Sequence, residues 1–219
     1  MSASTAASPP DRLPIPLRIR LAYTAFMAVL VPFYWHTYGP TNFLYFCDVA
    51  LFLALIGLWS GHALPASMAA VGILLPQFVW CVDFIATALG QPLLGMTRYM
   101  FDPGITLFAR GLSLFHGWLP LFLLYLVWRQ GYDRRAWLGW TLLAWLLIAI
   151  AWLFLPAPPA DPANPNLPVN VNYVYGLDDA APQTWMPQWL WLACLLIGLP
   201  LLVWWPTHLL LRRWMRPPG

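Results

Sequence analysis

Apolar runs of about twenty residues recur along this 219-residue chain, and that recurrence restricts its folds more than any other feature. At a helical rise of 1.5 Å per residue, each run is long enough to cross a hydrocarbon layer of about 30 Å. Charged residues make up 9% of the chain and hydrophobic residues 61%, so a soluble domain of this size could not cover its surface with charge. The sequence therefore predicts an all-α fold, a polytopic membrane bundle of about six transmembrane helices. They are expected at residues 17–35, 43–59, 64–88, 105–127, 136–156 and 185–211.

The flanks complete the plan. Residues 1–16 are rich in Ser, Ala and Pro and lack the basic start and small-residue cleavage site of a signal peptide. They are expected to be a disordered cytoplasmic tail ahead of an uncleaved first helix. Residues 17–212 form a single transmembrane domain with a long outer loop at 157–184, and residues 213–219 a second cytoplasmic tail. Asp11, Arg12, Arg18 and Arg20 precede the first helix. Arg129, Arg134 and Arg135 lie between the fourth and fifth, and Arg212, Arg213 and Arg216 follow the sixth. An even helix count puts these clusters on one side, and the positive-inside rule makes that side cytoplasmic. Arg98 and the loop acids Asp161, Asp178 and Asp179 fall opposite. Lys and Glu are absent, a composition that suggests a GC-rich bacterial source, so the expected location is a bacterial inner membrane, crossed several times. Arg at helix ends forms no continuous basic face, which argues against nucleic acid as a partner. Membrane lipids are the expected partners, and homo-oligomerisation is left open. Trp35, Trp59, Trp128, Trp137, Trp185, Trp189, Trp204 and Trp205 fall near predicted ends and read as interfacial rings.

Polar residues inside the apolar runs are the functional clue, because an ionisable group in hydrocarbon needs a partner or a task. Counted from the outer ends, Cys47, Asp48, Asp83 and Arg110 share a level roughly 7 Å down. Arg110 is expected to contact Asp48 or Asp83. His116 and Gln77 lie deeper, at roughly 16 Å. Arg110, Ser113 and Gly117 share one face of the fourth helix, and Gly111 and Gly117 would let a neighbouring backbone approach. Pro120 frees the carbonyl of His116, which either opens a small polar cavity or only bends the helix. Together these residues describe a polar pocket opening outward.

Cys47 is a candidate nucleophile with His116 as its base. The depth count separates the two by about 9 Å along the normal, too far for a hydrogen bond. A shift of both helix starts by two or three residues closes most of that gap. The plain alternative is a small core cysteine. No His-x-x-x-His or Glu-x-x-His spacing occurs, and His36, His62 and His208 sit at helix ends and read as wet, so neither a metal nor another cofactor is expected.

The run Asn42-Phe43-Leu44-Tyr45-Phe46-Cys47-Asp48, then Phe115-His116-Gly117, then Asn172-Tyr173, resembles in kind and order the short elements of the YwaF-like bacterial integral membrane family. Phe46 stands where Leu is usual before the cysteine, and Asn170-Val171 where Gly-Thr is usual. That family is similar to a transmembrane phospholipid acyltransferase and, more distantly, to androgen-induced fatty-acid-ester hydrolases. The resemblance implies acyl transfer or ester hydrolysis on lipids, with Cys47 as nucleophile and His116 as base. It gives Asn172 and Tyr173 no role beyond a lid. The competing expectation is a non-catalytic membrane protein, a transporter or accessory subunit, whose Asp–Arg layer is structural. The 157–184 loop is either a plain connector or, through its alternating stretch from Val169 to Tyr175, a cover over the outer pocket with Asn170 or Asn172 offering hydrogen bonds.

Overall fold

Leucine-, alanine- and tryptophan-rich runs fold as helices throughout the computed structural model, which describes residues 15–218. The expected tail at 1–16 lies, apart from Ile15 and Pro16, outside the described residues, as do Asp11 and Arg12. The helices are α1 (Leu17–Tyr38), α2 (Phe46–Ser60), α3 (Ala63–Ala88), α4 (Leu107–Ser113), α5 (Phe115–Gln130), α6 (Ala136–Phe154), α7 (Gln188–Gly198) and α8 (Trp205–Trp214). Among the described residues there is no strand. Five rods are long and apolar enough to cross a membrane: α1, α3, α4 with α5, α6, and α7 with α8. The apolar α2 is shorter, at 15 residues. The protein is thus an all-α polytopic bundle.

Two prolines inside the rods each free a backbone carbonyl, and each carbonyl is satisfied from a neighbour. Pro200 has no N–H, which leaves the Leu196 carbonyl without its helical donor; the Trp145 indole N–H supplies one at 2.9 Å. A π-helical turn, Leu199–Trp204, follows, and Trp137 donates to the Pro200 carbonyl at 3.3 Å. Pro120 likewise frees the His116 carbonyl, and the Cys81 thiol donates to it across 3.9 Å. Non-helical backbone at membrane depth survives where protein re-satisfies it.

The core is aromatic at its centre. Trp140 and Trp204 are buried and meet edge to face at 6.2 Å. Phe46 packs on both, at 5.7 and 6.1 Å. Gly72 lies against Trp140 so closely that a Cβ there would fall 1.9 Å from the indole, so α3 and α6 meet at a position only glycine fits. Trp204 is therefore a core residue and not an interfacial ring, because the last rod runs to Trp214 and leaves it mid-span. Trp35, Trp128, Trp185 and Trp189 are exposed. Gly111 and Gly117 meet nothing within 4 Å of an added Cβ, so the close backbone approach expected there does not occur. Phe78, Leu121 and Leu202 point outward with the apolar faces expected of lipid contact.

The end where α1 begins and α8 finishes is tied by polar contacts. Gln130 donates to the Gly57 carbonyl at 2.7 Å, and the Asp133 N–H to Ser67 at 3.0 Å. Tyr132 pairs with the His208 ring at 2.6 Å, and its N–H donates to the Arg216 carbonyl at 2.7 Å. His208 is buried and not wet. The region read as a tail from residue 213 begins inside α8 and returns to Tyr132. Asp133 and Arg135 form an ion pair at 2.7 Å, and hydrogen bonds from Arg135 hold the Asp133 carboxyl below the usual range.

Candidate functional site

At the opposite end lies a chamber of about 690 Å³. Its walls come from the last turns of α1, the first turn of α2, the middle of α3, the connection from α3 to α4, the break between α4 and α5, and the 157–187 connection. Cys47, Asp48, Gln77, His116, Asn172 and Tyr173 all line it. The structure thus brings together six of the eight residues singled out from sequence. Asp83 and Arg110 stand outside.

Cys47 owes its position to a late helix start. The apolar run before it reads as helix from residue 43, yet residues Pro40–Leu44 form a 3₁₀ turn and α2 begins at Phe46. Asn172 sets that boundary. Its Oδ1 accepts the Phe46 N–H at 2.9 Å, and its Nδ2 donates to the Leu44 carbonyl at 2.9 Å. Cys47 consequently sits in the first turn of a helix, where backbone N–H groups have no helical acceptor and the dipole favours negative charge. The thiol is part-exposed and donates to Asp48 Oδ2 at 3.5 Å. Asp48 itself is buried, and its Oδ1 has no hydrogen-bond partner.

His116 is positioned by the interruption between α4 and α5. The Gly117 N–H bonds the Leu114 carbonyl, one residue short of the α-helical acceptor, so the Ser113 carbonyl is free. His116 Nδ1 takes it at 2.8 Å. A carbonyl accepts only, so Nδ1 carries the proton of the neutral ring and Nε2 holds the lone pair. Trp80 stacks on the imidazole at 4.9 Å. The Ser113 hydroxyl pairs with Tyr34 at 3.0 Å, joining α1 to α4.

The expected pairing of Arg110 with Asp48 or Asp83 does not form. Arg110 Nη1 donates to the Met100 carbonyl at 3.2 Å, and its Nε has no partner. Asp83 is filled by the chain that follows α3. Its Oδ1 accepts the N–H groups of Leu93, Leu94 and Gly95 at 3.1, 2.7 and 3.2 Å. Its Oδ2 accepts the Thr97 N–H at 3.0 Å and hydroxyl at 2.8 Å. Five donors hydrogen-bond a carboxylate as well as an ion pair would, so equal depth did not make a contact.

The long connection closes over the chamber, as its alternating stretch suggested. Pro168, Val169 and Asn170 line the chamber beside Asn172 and Tyr173. Asn170 accepts the Tyr175 N–H at 2.8 Å and donates to the Gly176 carbonyl at 3.0 Å and to Asp179 at 3.1 Å. Asn170, Asn172 and Tyr173 have φ of 51°, 59° and 62°. Asn tolerates the left-handed region, whereas a ring-bearing residue there costs on the order of 1–3 kcal/mol. The Trp191 indole holds the Tyr173 carbonyl at 2.8 Å.

Sequence reasoning passed over Tyr45 and Tyr99, which line the chamber with Tyr173. Burial pushes all three phenols up, and the Cys47 sulfur lies within electrostatic reach of each. They therefore line the chamber as neutral hydroxyls. Three tyrosines flanking apolar runs were the only signal, and interfacial rings give the same one. Burial also raises the Asp179 carboxyl. Among the described residues no three His, Cys, Asp or Glu side chains group as a metal site.

Compared with known proteins, the chain has no match: no family model fits it, and no curated protein and no solved structure corresponds to it.

Proposed function

We propose that the protein transfers an acyl group from a lipid ester to a second lipid or to water, with Cys47 as nucleophile and His116 as general base. The setting we propose is a bacterial inner membrane with both termini cytoplasmic and the chamber open to the outer leaflet. The observation that carries this reading is that a first-turn thiol and an imidazole, from separate helices, line the same chamber. The YwaF-like order of the Cys-Asp, His-Gly and Asn-Tyr elements supports it.

In the proposed reaction Nε2 of His116 takes the thiol proton as Sγ attacks the ester carbonyl. Collapse breaks the bond to the alcohol, which leaves with the proton from His116 and gives a thioester on Cys47. Water or a lipid hydroxyl then surrenders its proton to His116 and attacks the thioester; the C–S bond breaks and the thiol regains its proton. Arg110 is not the oxyanion donor in this scheme, because it does not line the chamber. The Tyr99 or Tyr173 hydroxyl fills that role, a contribution of about 10²–10³ in rate for one donor.

A second reading is a non-catalytic binding protein. Asp48, 3.5 Å from the thiol, favours it, since a neighbouring carboxylate disfavours thiolate. Site-resolved labelling by a thiol-reactive lipid electrophile separates the two. Cys47 should label faster than Cys81 and Cys194, and His116→Ala should slow Cys47 alone by about 10²–10⁴, the usual share of a general base. Equal rates at Cys47 in the two proteins would remove His116 as base and leave the binding reading.

A further inference from the structure

The charge inventory of the chamber is one-sided. Its lining includes two carboxylates, Asp48 and Asp179, one imidazole, His116, and no Arg; the chain has no Lys. Arg110, the nearest candidate by sequence, is committed to the Met100 carbonyl. Nine of the lining residues are Phe, Tyr or Trp, so the same chamber that holds the acids also offers aromatic rings. Asp48 and Gln77 are 3% and 4% exposed. Each has a side-chain oxygen without a hydrogen-bond partner, Oδ1 and Oε1. Both groups belong to the lining, and both unpaired atoms are acceptors.

From these features we infer that the chamber binds a cationic organic ammonium group, with Asp48 as its counter-ion and the tyrosines Tyr45, Tyr99 and Tyr173 as its aromatic wall. A buried carboxylate without a cation is costly, and the Cys47 thiol, a neutral donor at 3.5 Å to Oδ2, leaves Oδ1 without a partner. An alkylammonium does so by charge, while its methyl or methylene groups meet ring faces. A primary ammonium would in addition donate to the Gln77 oxygen. Asp179, near the 170s segment through Asn170, adds a second negative charge toward the loop side and favours entry of a cation over an anion. An anionic ligand meets two like charges and no compensating donor with full charge. The inference rests on the chamber being the functional site; it does not depend on the thiol chemistry.

Choline and 3,3-dimethylbutan-1-ol have nearly the same shape and differ in charge, which makes them the test pair, with 3,3-dimethylbutanoate as the anion. Full-length protein in nanodiscs is titrated with each at constant ionic strength, made up with NaCl. Two readouts are taken: thermal stability, and protection of Cys47 from maleimide, with exposed Cys194 as the internal reference. Choline should stabilise saturably and protect Cys47, while the alcohol and the carboxylate do neither. Asp48→Asn should weaken choline by about tenfold or more, and Tyr99→Leu should weaken it where Tyr99→Phe does not. Equal binding of choline and its neutral isostere overturns the inference, as does a response to NaCl matching that to choline. If Asp48→Asn does not fold, the Tyr99 pair and the isostere comparison still decide. Choline binding without electrophile reactivity at Cys47 would sink only the catalytic reading; reactivity without choline selectivity would sink only this one.

Discussion

Asn172 ties the outer loop to the start of α2. One amide closes the first N–H of α2 and the Leu44 carbonyl just before it, 126 and 128 residues away in sequence. Both partners are part-buried, so removing the amide leaves a donor and an acceptor unpaired at a cost of about 1–3 kcal/mol. Asn172→Ala should therefore lower the unfolding temperature in detergent, while Asn164→Ala, in an exposed turn of the same loop, should leave it unchanged. A drop no larger than that of Asn164→Ala would show that the clamp is not a stability determinant. Sequence reading found Asn172 as a motif letter and foresaw hydrogen bonds from it, but its partners are fixed only by the tertiary fold. Arg110 was misplaced for a related reason. A depth count gives height along a helix and says nothing of azimuth, and a backbone carbonyl, Met100, met the guanidinium instead of an acid.

At the scale of elements, Asp83 organises the chain between α3 and α4. It gathers four backbone N–H groups and a hydroxyl from residues 93–97 into one carboxylate. Asn offers one acceptor oxygen where Asp offers two, so Asp83→Asn cannot satisfy them all. Hydrogen exchange should accelerate at residues 93–97 in this variant and stay unchanged at residues 51–58 of α2. Uniform protection across both segments would contradict the assignment. Helix positions were largely legible from apolar run length, since bundle helices need little else. The start of α2 was not, because Phe43, Leu44, Tyr45 and Phe46 continue the apolar run without a break and no local residue marks the turn. The division between α4 and α5 was legible only in part: Pro120 announced a disturbance, but the break at Leu114 is six residues earlier.

The whole molecule is asymmetric along its long axis. The end where α1 begins and α8 finishes is closed by Gln130, Tyr132, Asp133 and His208, whereas the opposite end holds the chamber and its loop cover. With the proposed orientation, Ala163→Cys in the exposed loop should react with a membrane-impermeant maleimide on intact cells. Pro218→Cys should react only after permeabilisation. Both are placed in a Cys47, Cys81 and Cys194→Ser background. The reverse pattern would invert the protein in its membrane. That orientation came from the three Arg clusters and the helix count, features a sequence states directly; the chamber's acidity did not, because it depends on which way Arg110 turns. The grip of Asn172 on both sides of Tyr45 has one mechanical consequence. On the proposed function, lifting the cover would release the peptide units flanking Tyr45, so that admission of a guest and the pose of the sulfur would share a single latch.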